Sequence, residues 1–183
     1  MKHDIGTDHF QRWPYIAESR PDGDHNNGAI DLVAEPHRLA EIHEATEENG
    51  LKDFLESMNK PDRPFMTLGC AAGYLNSTYC TYVEFTPRNQ KLAQDIKVIH
   101  DVHRQWLRWS IENCAAHPGL ADALRQSVEW AYREFSFRGS DPQYLITIYP
   151  RTRSARDHGL MISWVHNFLC TLDLENLGAD HLK

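Results

Sequence analysis

Phe65-Met66-Thr67-Leu68-Gly69-Cys70-Ala71-Ala72-Gly73, the polar turn Asn76-Ser77, and then Thr78-Tyr79-Cys80-Thr81-Tyr82-Val83-Glu84-Phe85 form the stretch whose reading decides the fold. Aromatic and β-branched residues stand on both sides of a short polar turn, which is the composition of two strands joined as a hairpin over 64–86. Between Gly69 and Gly73 no side chain is larger than Cys70, so a flat ligand, another backbone or a packed helix can approach closely.

Downstream, Thr86 is a good N-cap and Pro87 suits the first helical position. Leu92, Ile96, Ile99, His103, Trp106 and Ser110 then recur at helical spacing. His117-Pro118-Gly119 breaks that pattern, and Leu120, Leu124, Val128, Ala131 and Phe135 resume it, so two helices are expected over 87–135. Tyr144 to Tyr149 is the strongest strand signal in the chain. After Gly159, Leu160, Ile162, Trp164, His166 and Phe168 alternate with Met161, Ser163, Val165, Asn167 and Leu169, predicting a partner strand and a second hairpin over 144–169. Upstream, Pro36 and the stripe Leu51, Phe54, Leu55, Met58 predict helix within 36–60, and the turn-rich run from Arg20 to Gly28 makes 1–35 an irregular N-terminal arm. The expectation is one α+β domain over 1–183: an antiparallel sheet built from two β-hairpins, two long helices between them in sequence, and an N-terminal helical segment.

The 183 residues carry 26 acidic and 19 basic side chains, a formal charge of −7, which argues against nucleic acid as a partner. No stretch approaches the ~20 apolar residues of a membrane span, and Met1 to Phe10 is polar, so a cytoplasmic location with no membrane contact is expected. Cys70, Cys80, Cys114 and Cys170 form no CxxC pair and read as reduced core thiols. Eleven histidines are the compositional outlier and make metal or cofactor ligation worth testing.

Several constellations follow. Arg151, Arg153 and Arg156, with His158, gather in what reads as the loop joining the last two strands, where guanidinium forks would meet a carboxylate, a propionate, a phosphate or an acidic partner. The competing reading is a solvated hairpin tip paired with the chain's own carboxylates. His100 and His103 lie one turn apart, and His166 stands between Trp164 and Phe168; each is either a core imidazole bonded to a carbonyl or a ligand, axial haem ligation included. His37, Glu41, Glu44 and Glu48 share a helix face without the Glu-x-x-His pairs of a di-metal site, and read as a solvated acidic face. Asp22, Asp24 and Asn26 imitate a calcium loop, but Asn27 stands where glycine is required and Val33 where the bidentate Glu belongs.

Pro64-Phe65 leading through Cys70 to Tyr82-Val83-Glu84-Phe85, together with Glu134-Phe135-Ser136-Phe137-Arg138-Gly139, Tyr144, Pro150 and the basic loop, resembles the YqcI/YcgG family. The resemblance implies a haem-binding, oxygenase-like enzyme that hydroxylates a nitrogen of a small amine or guanidine compound. Thr152 falls near the family's histidine, so the implied haem iron would take His158, His103 or His166, with Arg151, Arg153 and Arg156 meeting propionates or a substrate carboxylate. The alternative from another class is a non-catalytic acidic binding protein, an immunity-type or regulatory partner of a basic protein.

Overall fold

The computed structural model describes residues 1–4, 11–19, 25–26 and 28–179. It combines helices with a mixed sheet. Four long strands form the body: β5 (Phe65–Leu75), β6 (Thr78–Pro87), β7 (Val128–Phe137) and β8 (Gln143–Thr152). Two-residue strands come from the arm: β1 (Lys2–His3), β2 (Arg12–Trp13), β3 (Glu18–Ser19) and β4 (His25–Asn26). The helices are α1 (Leu51–Met58), α2 (Gln90–Gln94), α3 (Ile96–Asn113), α4 (Pro118–Ser127), α5 (Ala155–Thr171) and α6 (Leu174–Ala179).

β5 pairs with β6 and β7 with β8, both antiparallel, and β6 lies against β8, so the order is β7-β8-β6-β5. β1 and β2 run parallel to β7 along its outer side, while β3 and β4 pair separately. One face of the sheet carries the helices, and its core joins Phe85, Val83, Trp130, Ile146 and Ile148 to Phe54, Ile99, Trp106, Val165 and Phe168. Fully burying each such side chain contributes about 1.5–3 kcal/mol. The opposite face has a smaller core of Trp13, Leu68, Phe135 and Leu145, roofed by the arm.

Several sequence expectations are corrected here. Residues 128–135 are strand, not the end of a helix: Val128 and Trp130 face the helices while Ala131, Arg133 and Phe135 face the arm, a period of two that the helical spacing of Val128, Ala131 and Phe135 conceals. Residues 160–169 are helix, not the second arm of a hairpin. Ser154 caps α5 by accepting from the Asp157 amide, and Ile162, Val165, Phe168 and Leu169 fall on one buried stripe. The second hairpin is therefore β7–β8. Thr86 and Pro87 remain in β6, and the caps are Asn89 and Asp95.

Upstream, the helix expected from Pro36 to Asn49 is a short 3-10 turn over Pro36–Glu41. Asn49 explains the interruption: its side chain bonds the Thr46 and Leu51 amides, the Glu44 carbonyl and the Tyr79 hydroxyl, competing with helix for those groups. Gly159 lets α5 cross this loop, since a Cβ there would stand 2.6 Å from the Glu48 carbonyl oxygen. The arm is only partly irregular, because β1 and β2 join the sheet. Asp22 and Asp24 lie outside the described residues. No helix among those described is long and apolar enough to cross a membrane.

Candidate functional site

The arginine loop is not a hairpin tip. Arg151 is the last residue but one of β8, Arg153 precedes the helix cap and Arg156 lies in the first turn of α5; all three are exposed. Arg151 stands 3.7 Å from Glu129. Of the three, Arg151 alone lines the concavity described below.

The three candidate histidines are separated as well. His158 is fully buried at the start of α5, with Nδ1 2.9 Å from the Asn49 carbonyl oxygen, so Nδ1 carries the proton and donates. Its Nε2 finds no hydrogen-bond partner among the described residues, and burial lowers its pKa. His103, on α3, accepts at Nδ1 from the Met1 nitrogen at 3.3 Å and leans on Trp130. Burial first, then the positive Met1 terminus and His100, lowers it to about 4. His166 lies on α5 with Nε2 2.8 Å from Ser57 Oγ and 3.4 Å from Cys170 Sγ, and burial lowers its pKa too. A haem ligand needs a free imidazole nitrogen opening into a flat cavity. His158 Nε2 is sealed in the core, His166 Nε2 is engaged by Ser57, and none of the three lines either concavity described below. As placed, neither His158 Nε2 nor His166 Nε2 is open to an iron. Among the described residues no set of three or more His, Cys, Asp or Glu is arranged to hold a metal ion.

The arm-side face carries two further features. The first is a buried polar network in mid-sheet. Glu84 and Arg133 are buried and joined at 2.5 Å, and Tyr15 of the arm donates to the other Glu84 oxygen at 2.7 Å. Burial works against the Arg133 charge, but Glu84 outweighs it and holds the guanidinium above its usual value. Asp4 lies 3.9 Å from Arg133 and accepts from the Tyr149 hydroxyl at 3.1 Å. Burial, then the Asp4 charge, pushes Tyr149 up to about 12. Gly69 makes room for the network, since a Cβ there would meet the Glu84 carboxylate at 2.9 Å.

Beyond the network no described element lies over the sheet at the β5–β6 turn. An open concavity of about 840 Å³ is walled by Tyr82, Tyr149 and Arg151, floored by Ala71, Gly73 and Cys80, and rimmed by the hairpin turn. Tyr74 and Leu75, at the end of β5, are 63% and 68% exposed. A second, smaller concavity of about 240 Å³ lies between α3 and the α5–α6 junction, lined by Trp109, Glu112, Phe168 and Asp173 among others.

Sequence reasoning passed over Tyr15, Glu84, Arg133 and Tyr149. A signal existed for Arg133: once 128–137 is read with a period of two, a guanidinium falls between Ala131 and Phe135 on a buried face, where it requires a carboxylate. Comparison with protein-family models, with curated proteins and with solved structures finds no match.

Proposed function

We propose that this chain is a non-catalytic, acidic binding protein whose partner is a basic protein, engaged through the open concavity beside β5. The observation that carries the reading is the tyrosine-walled concavity beside β5: tyrosine and arginine around an apolar floor is the composition of a protein-binding hot spot. The net charge of −7 supplies long-range attraction for a cationic partner and makes association steeply dependent on salt.

The test has two arms. The purified chain is used to capture basic proteins at low ionic strength, and a captured protein is purified and recombined with it. A defined complex is expected, weakened by salt and by Leu75→Lys or Gly73→Phe while the melting temperature holds. Equal binding by wild type and both variants overturns the reading. The second arm is hemin addition: stoichiometric uptake with a Soret band would point back to a haem-dependent enzyme acting on a small amine or guanidine.

A further inference from the structure

We infer that the outer edge of β5 takes an extended segment of the partner as an added strand, and that this segment alternates cationic with bulky apolar residues. The inference rests on the binding reading above and specifies its ligand.

β5 is the terminal strand of the sheet; its start is capped, with Asn59 accepting from the Thr67 amide at 3.0 Å and Arg88 and Trp13 donating to the Phe65 and Leu68 carbonyls, while from Cys70 to Leu75 no strand among the described residues pairs with its outer side. Natural edge strands are protected by charges, prolines, shortness or a covering element, because their free N–H and C=O groups template pairing with another chain. The part of β5 from Cys70 to Leu75 has none of the first three of these protections. The strand's eleven residues contain no charged side chain and no proline. At full extension they span about 36 Å. The bulge sits at its beginning, between Thr67 and Gly69, leaving Cys70 to Leu75 in regular register with β6. Main-chain hydrogen bonds to such an edge supply affinity, and flanking pockets select alternate side chains.

The two flanks differ in chemistry, and that difference defines the ligand. Cys70 and Ala72 pack toward the helices, so Ala71, Gly73 and Leu75 face the other way. On the helix side the loop bearing the partly buried Glu44 lies against the hairpin: Asn49 Nδ2 donates to the Glu44 carbonyl at 2.7 Å and to the Tyr79 hydroxyl at 2.9 Å, and the Tyr79 ring meets Tyr74 of β5 at 5.0 Å; consistent with this, burial, then Glu44 and Glu84, raise the Cys70 thiol to about 12. Glu44 belongs to an acidic run with Glu47 and Glu48. On the opposite side lies the concavity with Tyr82, Tyr149 and the cationic Arg151, over a floor where a Cβ added at Gly73 meets nothing within 4 Å. A strand laid beside β5 sends alternate side chains to these two flanks. Lys or Arg suits the helix side. A large apolar or aromatic residue suits the concavity, from which Arg151 repels cations.

The experiment uses fluorescein-labelled peptides of about nine residues. One alternates Lys with Val and Phe, one replaces each Lys by Glu, and one has the Lys peptide's composition in two blocks. Anisotropy titrations with the full chain are run at about 50 and about 500 mM NaCl. The alternating Lys peptide is expected to bind at least about tenfold more tightly than either control. Glu44→Gln should reduce its salt dependence, and Gly73→Phe should remove the preference for alternation, with melting temperatures unchanged. Equal binding of the block peptide overturns the inference by showing charge attraction without strand addition. If no peptide binds while a basic protein still forms the salt-sensitive complex, strand addition fails and the binding reading stands. Light scattering is the last arm: a monomer is expected, and a dimer dissolved by Leu75→Lys would assign the edge to a second copy and overturn the proposed ligand.

Discussion

The two outer strands of the sheet are treated in opposite ways. β7 carries Glu129, Arg133 and Glu134, is covered by β1 and β2 in parallel pairing, and is tied to the rest of the molecule by the Lys2–Glu129 ion pair and the Trp13 ring stacked on Phe137. β5 is uncharged, unpaired on its outer side among the described residues, and ends in exposed Tyr74 and Leu75. Among the described residues the arm closes the β7 edge, and the β5 edge from Cys70 to Leu75 has no strand beside it. The difference also ranks the residues: those closing the β7 side hold the fold together, while Tyr74 and Leu75 at the end of β5 contribute little to it.

The largest effects should come from the closed side. Arg133→Leu leaves the buried Glu84 carboxylate without its cation, and losing one partner of a buried pair costs about 3–5 kcal/mol. Urea denaturation checks this, and a loss well under that range would mean that Tyr15 and solvent compensate. Trp13→Ala strips the roof from the arm-side core and orphans the Leu68 carbonyl, which Trp13 Nε1 bonds at 3.2 Å, with an expected loss of about 3 kcal/mol. If hydrogen exchange at β7 were unchanged in this variant, the arm would not be what protects that edge.

A smaller effect depends on pH. His103 titrates near 4 in the fold against an ordinary value of 6.5, so on acidification the unfolded chain takes up this proton first. The contribution is full above about 6.5, is lost as pH falls toward 4 and levels off below it; His100, His158 and His166, also lowered, act with the same sign. His103→Phe should flatten the dependence of melting temperature on pH across that window, and an unaltered slope would show that the Met1–His103 contact is not formed in solution. The smallest effect belongs to the open edge. Leu75→Lys and Tyr74→Lys should change stability by no more than about 0.5 kcal/mol, because both side chains are mostly in solvent. A larger loss would make β5 part of the structural core and remove the contrast between the edges.

How far the sequence was legible varies along the chain for identifiable reasons. Phe65 to Phe85 and Tyr144 to Tyr149 are strand because their β-branched and aromatic residues leave little competition from helix. Val128 to Phe137 and Leu160 to Leu169 were exchanged because their apolar residues fit periods of both 2 and 3.6. In such segments long-range packing decides between helix and strand. The candidate site suffered most from this exchange. Reading α5 as a strand turned its first turn into a loop and made Arg151, Arg153, Arg156 and His158 neighbours at one sheet end, whereas the helix sends His158 into the core and leaves Arg153 and Arg156 in solvent.

The sequence by itself determined the mixture of helix and strand, the hairpin around Asn76-Ser77, the acidic balance and the small-residue run from Gly69 to Gly73, because propensity, charge and side-chain size are local properties. Only the tertiary structure decided which strand stands at the open edge, which carboxylate meets Arg133, and that the small-residue run packs Cys70 and Ala72 toward the helices while Ala71 and Gly73 floor a concavity on the other face. Those outcomes depend on strand order and on where the arm lies. Both are set by contacts between residues far apart in the chain, such as Tyr15 with Glu84 and Trp13 with Leu68, whose partners no local pattern encodes.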